Sequence, residues 1–121
     1  MKNYFTPDEF KCKCGCGQGF EKMDSSFILM LNEARDIAGI AFILVSAYRC
    51  DKHNLAVGST SNNHSAGQAV DIHCDNSINR AKMVFALFDA GFRRLGIGPT
   101  FIHADNRHGI LGLPDRAVWL Y

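Results

Sequence analysis

The sequence predicts an α+β domain in which helices flank a small, mostly antiparallel sheet. Two long segments carry apolar residues at helical spacing, and several short apolar runs rich in strand-forming residues are separated by polar or glycine-containing connections. The length of 121 residues and a hydrophobic content of 47% suit one compact domain with a buried core. We therefore expect a single domain over residues 1–121, without an internal repeat.

The first two helices are predicted from their start signals. Thr6 followed by a proline predicts a short helix over Pro7–Phe10. Asp24 is an N-cap residue for a longer helix over 25–38, and Gly39 is expected to end that helix. The apolar face of this helix is expected to comprise Phe27, Met30, Leu31, Ala34 and Ile37.

A third helix is predicted over 77–90, with Asn76 or Ser77 as its cap and Gly91 closing it. Its predicted apolar face comprises Ile78, Ala81, Val84, Phe85 and Phe88.

The strands are predicted from short runs of strand-forming residues. These runs cover residues 42–46, 68–73, 92–97, 101–105 and 117–121. The first run is predicted to be a buried strand and the last to be an edge strand. Residues 49–67 form a long polar connection with one helical turn near 53–57, and so long a connection in a small domain is usually functional.

Charge and hydropathy exclude several classes of partner. Lys and Arg total 13 and Asp and Glu total 12, and the basic residues are scattered, so the sequence does not predict nucleic-acid binding. No run approaches the roughly 20 apolar residues of a membrane span, and the polar start MKNYFTPDEF is unlike a secretory signal. We expect a monomer that is cytoplasmic when synthesised and has no membrane partner.

Five cysteines leave three alternatives open. The odd number argues against a closed disulfide framework. The CKCGCG segment with Cys12, Cys14 and Cys16 is first interpreted as a loop with small buried residues and reactive thiols. A disulfide with Cys50 comes second, and a thiolate zinc site completed by Cys50 or Cys74 comes last, because C-x-C-x-C is tighter than the usual C-x₂₋₄-C spacing.

The stretch SNNHSAGQAVDIHC at residues 61–74 suggests part of a metal site. His64 and Asp71 are possible zinc ligands, and the small residues between them allow close approach of the backbone. His103, in an apolar strand, is the candidate third ligand because a buried imidazole needs a polar partner. Spacing alone also fits ordinary strand and loop histidines, and the HExxH signature is absent.

The segment HSAGQAVD at 64–71 resembles the HxxGxAxD motif of zinc D-alanyl-D-alanine carboxypeptidases and L-alanyl-D-glutamate endopeptidases. The resemblance is greatest to their short, single-domain, phage-type branch. Further similarities occur in the same order along the chain: DEFKCKCGCG at 8–17, SAYRC at 46–50, His53-Asn54, Val57-Gly58, Gly91-Phe92, GIG at 96–98 and FIHAD at 101–105. Together they imply the fold shared by these peptidases and the Hedgehog signalling domains.

The resemblance also implies a function. It makes His64, Asp71 and His103 the ligands of Zn²⁺ and directs Arg49 towards the substrate, where a guanidinium can bind a carboxylate or an oxyanion. The implied activity is hydrolysis of the peptidoglycan stem peptide through a zinc-activated water, as D-Ala-D-Ala carboxypeptidase or L-Ala-D-Glu endopeptidase. The implied site of action is the cell wall, reached by phage-mediated release in the manner of an endolysin.

The chain departs from this family at the general base. Better-known members have Asp or Glu three residues before the last zinc-binding histidine, and Thr100 occupies that position here. Asp105 is a candidate base, or more simply a hydrogen-bond acceptor for a ligand imidazole. His73 and His108 are further candidates. If no base is present, the alternative is a zinc-containing binding module with weak or no catalysis, as in the Hedgehog domains.

The remaining charged and aromatic residues have simpler interpretations. Trp119 and Tyr121 are expected to cover one end of the sheet, although an aromatic near the cleft could stack on sugar or peptide. Arg93, Arg94 and Arg107 are interpreted as a solvated face rather than a patch that binds the cell wall.

Overall fold

Five strands form one mixed sheet with the order β1-β2-β4-β3-β5. The structure is a computed structural model that describes residues 3–110 and 112–121. The strands are β1 Leu44–Ser46, β2 Ala69–His73, β3 Arg94–Ile97, β4 Phe101–Asp105 and β5 Ala117–Leu120. All neighbouring pairs are antiparallel except β3 with β5, which is parallel. The predicted α+β class with a mostly antiparallel sheet is confirmed.

The helices begin and end where local capping signals place them. They are α1 Ser25–Ala38, α2 Asp51–Ala56 and α3 Ser77–Asp89, with short 3₁₀ helices at Pro7–Phe10 and Phe20–Lys22. The Asp24 carboxylate accepts a hydrogen bond from the Phe27 backbone N–H at 3.0 Å, and Gly39 ends α1 with a left-handed φ of 68°. Asn76 caps α3 by accepting a hydrogen bond from the Asn79 backbone N–H at 2.8 Å.

The two long helices pack on each other and on one face of the sheet. The core they form includes Phe27 and Leu31 of α1, Met83 and Leu87 of α3, and Val70, Ile72, Leu95, Ile102 and Ala104 of the sheet. In β2 and β4 these core residues alternate with Asp71 and His103, so those two side chains lie on the opposite face. No described helix has both the length and the apolar character needed to cross a membrane.

The predicted apolar face of the third helix is wrong except at Val84, which is partly buried against the core. The side chains that α3 buries are those of Met83, Ala86 and Leu87, whereas Ile78 is 70% exposed and Phe85 is 68% exposed. Two apolar stripes run along this helix at the same spacing, and periodicity cannot choose between them. In the structure α3 packs against α1 and buries the stripe that contains Met83 and Leu87.

The first strand is shorter and less buried than predicted. The sequence predicts a buried strand over 42–46, but β1 begins at Leu44, and Ile43 and Val45 are 57% and 42% exposed. β1 is an edge strand, so it has a neighbouring strand on one side only. The register shifts around Val45, and this irregularity brings Ser46 opposite Asp71.

The strand register builds one row of residues across the sheet. Ser46 lies opposite Asp71, Asp71 opposite His103, His103 opposite Gly96, and Gly96 opposite Trp119. Residues paired in this way present their side chains on the same face. The row therefore brings residues from five strands, far apart in the sequence, onto the face that the helices leave uncovered.

Candidate metal centre and cleft

Three potential ligand atoms meet at one point of this row. His64, Asp71 and His103 each present a ligand atom, and these atoms all lie within 4.8 Å of one another. Asp71 Oδ1 is 3.4 Å from His64 Nε2 and 3.0 Å from His103 Nδ1. A tetrahedral zinc site with bonds of about 2.0–2.1 Å has ligand atoms about 3.3–3.4 Å apart. The donor types and their separations therefore fit zinc.

Hydrogen bonds on the far side of each ring hold both imidazoles in the required tautomer. His64 Nδ1 lies 2.7 Å from the Ala47 carbonyl oxygen, which can only accept, so His64 donates from Nδ1 and leaves Nε2 free towards Asp71. His103 Nε2 donates to Asp105 Oδ2 at 2.7 Å, so Nδ1, which lies 3.0 Å from Asp71 Oδ1, is the ring nitrogen that faces the proposed metal position. Such partners orient a metal-binding imidazole and raise its basicity.

Asp105 is fully buried beneath this site rather than open to the cleft. Its carboxylate accepts hydrogen bonds from Arg94 Nε at 2.7 Å, from His103 Nε2, and from the Arg107 backbone N–H at 3.1 Å. Burial raises the pKa of Asp105, but the hydrogen bonds from His103 and Arg94 outweigh it and lower the pKa overall. Of the two roles considered for Asp105, this geometry favours the acceptor for His103 over the general base.

The charge of Asp71 is stabilised by the same histidines. Burial alone raises the pKa of Asp71, but hydrogen bonds from His103 and His64 lower it well below the usual range, so the carboxylate is ionised at neutral pH. Burial lowers the pKa of His103, and its hydrogen bonds to Asp105 and Asp71 more than offset this and raise it. If His64, Asp71 and His103 held a metal ion, the ion would balance the negative charge that protons on the histidines otherwise balance.

A glycine allows the chain to pass from His64 into β2. Gly67 has a left-handed φ of 72°, and a Cβ on it would lie 2.1 Å from the Lys22 carbonyl oxygen. Its own carbonyl accepts a hydrogen bond from the Asp24 backbone N–H at 2.9 Å, and its N–H donates to the His64 carbonyl at 3.1 Å. The expected close approach of backbone in this spacer therefore occurs against the segment that precedes α1.

Arg49 lies beside Asp71 with its guanidinium in the cleft. Its Nη2 is 3.6 Å from Asp71 Oδ2, its Nε donates to Ser46 Oγ at 3.2 Å, and its Nη1 donates to Asn54 Oδ1 at 3.3 Å. Asn54 also donates to the Ser61 carbonyl at 2.8 Å, which ties the cleft loop to α2. The side chain of Arg49 is 16% exposed, so it is a held group rather than a mobile surface arginine.

The cleft around these residues has a volume of about 720 Å³. One wall is aromatic and consists of Phe101, Trp119 and Tyr121, and another is polar and consists of Ser59, Thr60, Ser61 and Asn63. The Trp119 ring centroid lies 5.4 Å from that of His103. A Cβ on Gly96 would lie 2.5 Å from Trp119 Nε1, so the glycine leaves the space that the indole occupies over the sheet.

Sequence reasoning missed how this aromatic wall relates to the ligands. Trp119 lies in the edge strand β5, and its contact with His103 follows from the parallel pairing of β3 and β5. A glycine in the middle of a predicted strand, such as Gly96, is a signal that another group approaches closely.

The other candidate bases lie outside the cleft. His73 is on the same face of β2 as Asp71, but its side chain is 48% exposed and its Nε2 lies 3.6 Å from Asp75 Oδ2. His108 follows β4 and does not line the cleft, and Thr100 is exposed in the turn between β3 and β4. Within residues 3–110 and 112–121, Asp71 is the only carboxylate that lines the cleft.

Arg94 and Arg107 are buried near the site, whereas the sequence predicted that they lie on a solvated face. Arg94 is buried, where it donates to Asp105 and, at 2.9 Å, to the Pro114 carbonyl. Arg107 is also buried and donates to Gln68 Oε1 at 2.8 Å. Both find acceptors on other elements, which local sequence cannot indicate. Arg93 is exposed as expected, at 3.2 Å from Asp115.

Comparison with protein families gives a match over most of the chain. The family model described as Peptidase M15 matches residues 3–105. No curated protein matches the chain. The matched segment includes Arg49 and the three potential ligands, whereas Trp119 and Tyr121 lie beyond its end.

Proposed function

Since the chain belongs to the peptidase M15 family, we propose that it is a zinc metallopeptidase that hydrolyses the stem peptide of bacterial peptidoglycan. The observation that carries this proposal is the convergence of His64 Nε2, Asp71 Oδ1 and His103 Nδ1 on one point of a cleft that also contains Arg49. In the proposal these three atoms hold Zn²⁺.

The chemistry that zinc supplies in such a site is polarisation of a carbonyl and a lowered pKa for water. His64 and His103 each contribute a neutral imidazole, because the Ala47 carbonyl and the Asp105 carboxylate accept the proton on the other ring nitrogen. Asp71 contributes the single negative charge. Two neutral ligands and one anionic ligand leave a site with net positive charge, which suits an electrophilic role.

Arg49 is proposed to bind the substrate beside the metal. Its guanidinium is held by Ser46, Asn54 and Asp71, so little side-chain entropy is lost when it donates to a substrate oxygen. The acceptor is either the terminal carboxylate of the peptide, as a carboxypeptidase requires, or the oxyanion that forms at the scissile carbonyl. The aromatic wall of Phe101, Trp119 and Tyr121 offers an apolar surface for the peptide or the adjoining sugar.

The second candidate function is a zinc-containing binding module with weak or no catalysis. The observation that favours it is the scarcity of bases: in the described part of the chain, no carboxylate but Asp71 lines the cleft, and Thr100 is exposed in a turn. Such a module would still bind the stem peptide through zinc and Arg49.

Cleavage of purified peptidoglycan distinguishes the two functions. The full chain, loaded with zinc, is incubated with peptidoglycan with and without chelator, and the released amino acids and new amino groups are measured. Chelator-sensitive release of D-alanine indicates a carboxypeptidase, and a new amino terminus on D-glutamate indicates an endopeptidase. A chain that holds zinc in the cleft but releases nothing would contradict the peptidase proposal and support the binding module.

A further inference from the structure

Four cysteine sulfurs converge at a second place in the molecule, outside the cleft. The ligand atoms of Cys12, Cys14, Cys16 and Cys50 all lie within 4.8 Å of one another. Cys12 Sγ is 3.4 Å from Cys14 Sγ and 3.7 Å from Cys50 Sγ, and the Cys14 and Cys50 sulfurs are 3.5 Å apart. All four cysteines are free thiols.

These separations are close to those of a metal tetrathiolate. A tetrahedral zinc ion with Zn–S bonds of about 2.3 Å has sulfurs about 3.8 Å apart. A disulfide would join only two of the four sulfurs and leave the other two without a partner. A single metal ion accounts for the convergence of all four.

Two glycines remove the objection that C-x-C-x-C is too tight a spacing. Gly15 and Gly17 each have a left-handed φ of 83°, so the segment turns repeatedly instead of running extended. The turn is closed by hydrogen bonds from the Cys12 N–H to the Gln18 carbonyl at 2.8 Å and from the Gly15 N–H to the Cys12 carbonyl at 3.4 Å. The folded loop aims its cysteines at the sulfur of Cys50, which lies 38 residues beyond Cys12.

Backbone donors already point at two of the sulfurs. The Cys50 N–H donates to Cys12 Sγ at 3.4 Å, and the His53 N–H donates to Cys50 Sγ at 3.4 Å at the start of α2. Hydrogen bonds of this kind stabilise a thiolate ligand and orient it.

We propose that Cys12, Cys14, Cys16 and Cys50 bind one zinc ion in a structural tetrathiolate site. Binding exchanges the thiol protons, which go to solvent, for four Zn–S bonds, and leaves a formal charge of −2 flanked in sequence by the exposed Lys11 and Lys13. The site ties the N-terminal segment to the residue that follows Arg49. It does not depend on the function proposed for the cleft.

The test is metal stoichiometry on the full chain, reduced and reconstituted with zinc. We expect two zinc ions per chain, one in the double variant Cys14→Ser/Cys16→Ser, and one in His64→Ala. Cys14 and Cys16 are exposed, so the serines open no cavity in the core. The matched control is Cys74→Ala, which removes a buried cysteine whose Sγ faces the Asn76 carbonyl rather than another sulfur, and it should keep two.

Cobalt gives a readout specific to sulfur. With Co²⁺ in place of zinc, the wild-type chain and His64→Ala should show intense thiolate-to-cobalt charge-transfer absorption, and Cys14→Ser/Cys16→Ser should lose it. Thiol titration of the wild-type chain should show zinc slowing the alkylation of Cys14 and Cys16 despite their exposure. Equal zinc content in the double variant and the wild type, with no thiolate absorption and unchanged alkylation, would overturn the proposal. One zinc per wild-type chain with strong thiolate absorption would support it and count against the cleft site.

Discussion

Replacing Asp105 by Asn tests the support beneath the candidate metal centre. The carboxylate accepts from Arg94 Nε and His103 Nε2, each at 2.7 Å, with no exposure to solvent. Asparagine keeps the shape but removes the charge, which leaves Arg94 buried without its counter-ion. Breaking a buried ion pair on one side costs about 3–5 kcal/mol of unfolding free energy.

This loss is large against the total stability of a small domain, about 5–15 kcal/mol, but does not exceed it. For a chain of this length we expect the midpoint of thermal unfolding to fall by roughly 10–25 °C. Loss of the acceptor for His103 should weaken zinc binding in the cleft by about 10–100-fold. Both changes follow from the same two hydrogen bonds.

Two measurements check this prediction. Thermal unfolding by circular dichroism reports the stability, and competition with a chromophoric chelator reports the affinity of the cleft for zinc. The matched control is Asp115→Asn, which removes the exposed partner of Arg93 and should change stability by no more than about 1 kcal/mol. An Asp105→Asn chain with undiminished zinc affinity and abolished cleavage would refute the acceptor role and indicate the general base instead.

Three further changes test other parts of the cleft. Gly96→Ala places a Cβ 2.5 Å from Trp119 Nε1, and this overpacking should lower the free energy of unfolding by about 1–3 kcal/mol, measured by thermal unfolding. The fluorescence of Trp119, the single tryptophan, should change as well, and unchanged fluorescence would contradict the contact. Arg49→Lys keeps the charge but loses the planar fork, so peptidoglycan cleavage should fall at least tenfold with zinc retained, whereas Arg93→Lys should cleave normally. Gly67→Ala forces a side chain into a left-handed turn against the Lys22 backbone, so the midpoint of thermal unfolding and the affinity of the cleft for zinc should both fall. A variant as stable as the wild type would refute the close approach of Gly67 to Lys22.

Local signals in the sequence predicted the helices well and the strands less well. Asp24 and Gly39 cap the two ends of α1 as expected, because a helix cap depends only on residues within about one turn of the helix end. The strand over 101–105 is also as predicted. The buried face of α3 was mispredicted because two stripes share one period, and the choice between them belongs to the partner helix.

The candidate site was reached through motif resemblance rather than through spacing. His64, Asp71 and His103 are recognisable as a set because their order matches a family pattern, and the structure brings their ligand atoms together. The individual roles of Arg49 and Asp105 remain predictions for the experiments above. His73, which the sequence left undecided between a cleft residue and an ordinary strand histidine, does not line the cleft, and its side chain is 48% exposed beside Asp75.

The sequence by itself determined the fold class, the capped helices and the identity of the three candidate ligands. Only the tertiary structure decided that Arg94 is buried against Asp105, that Trp119 lies over Gly96, and that Cys50 meets the cysteines of the N-terminal loop. The reason is how far apart in the sequence the contacting residues lie. A cap or a helical stripe depends on side chains a few residues apart, whereas these contacts join residues that only strand register and chain topology bring into contact.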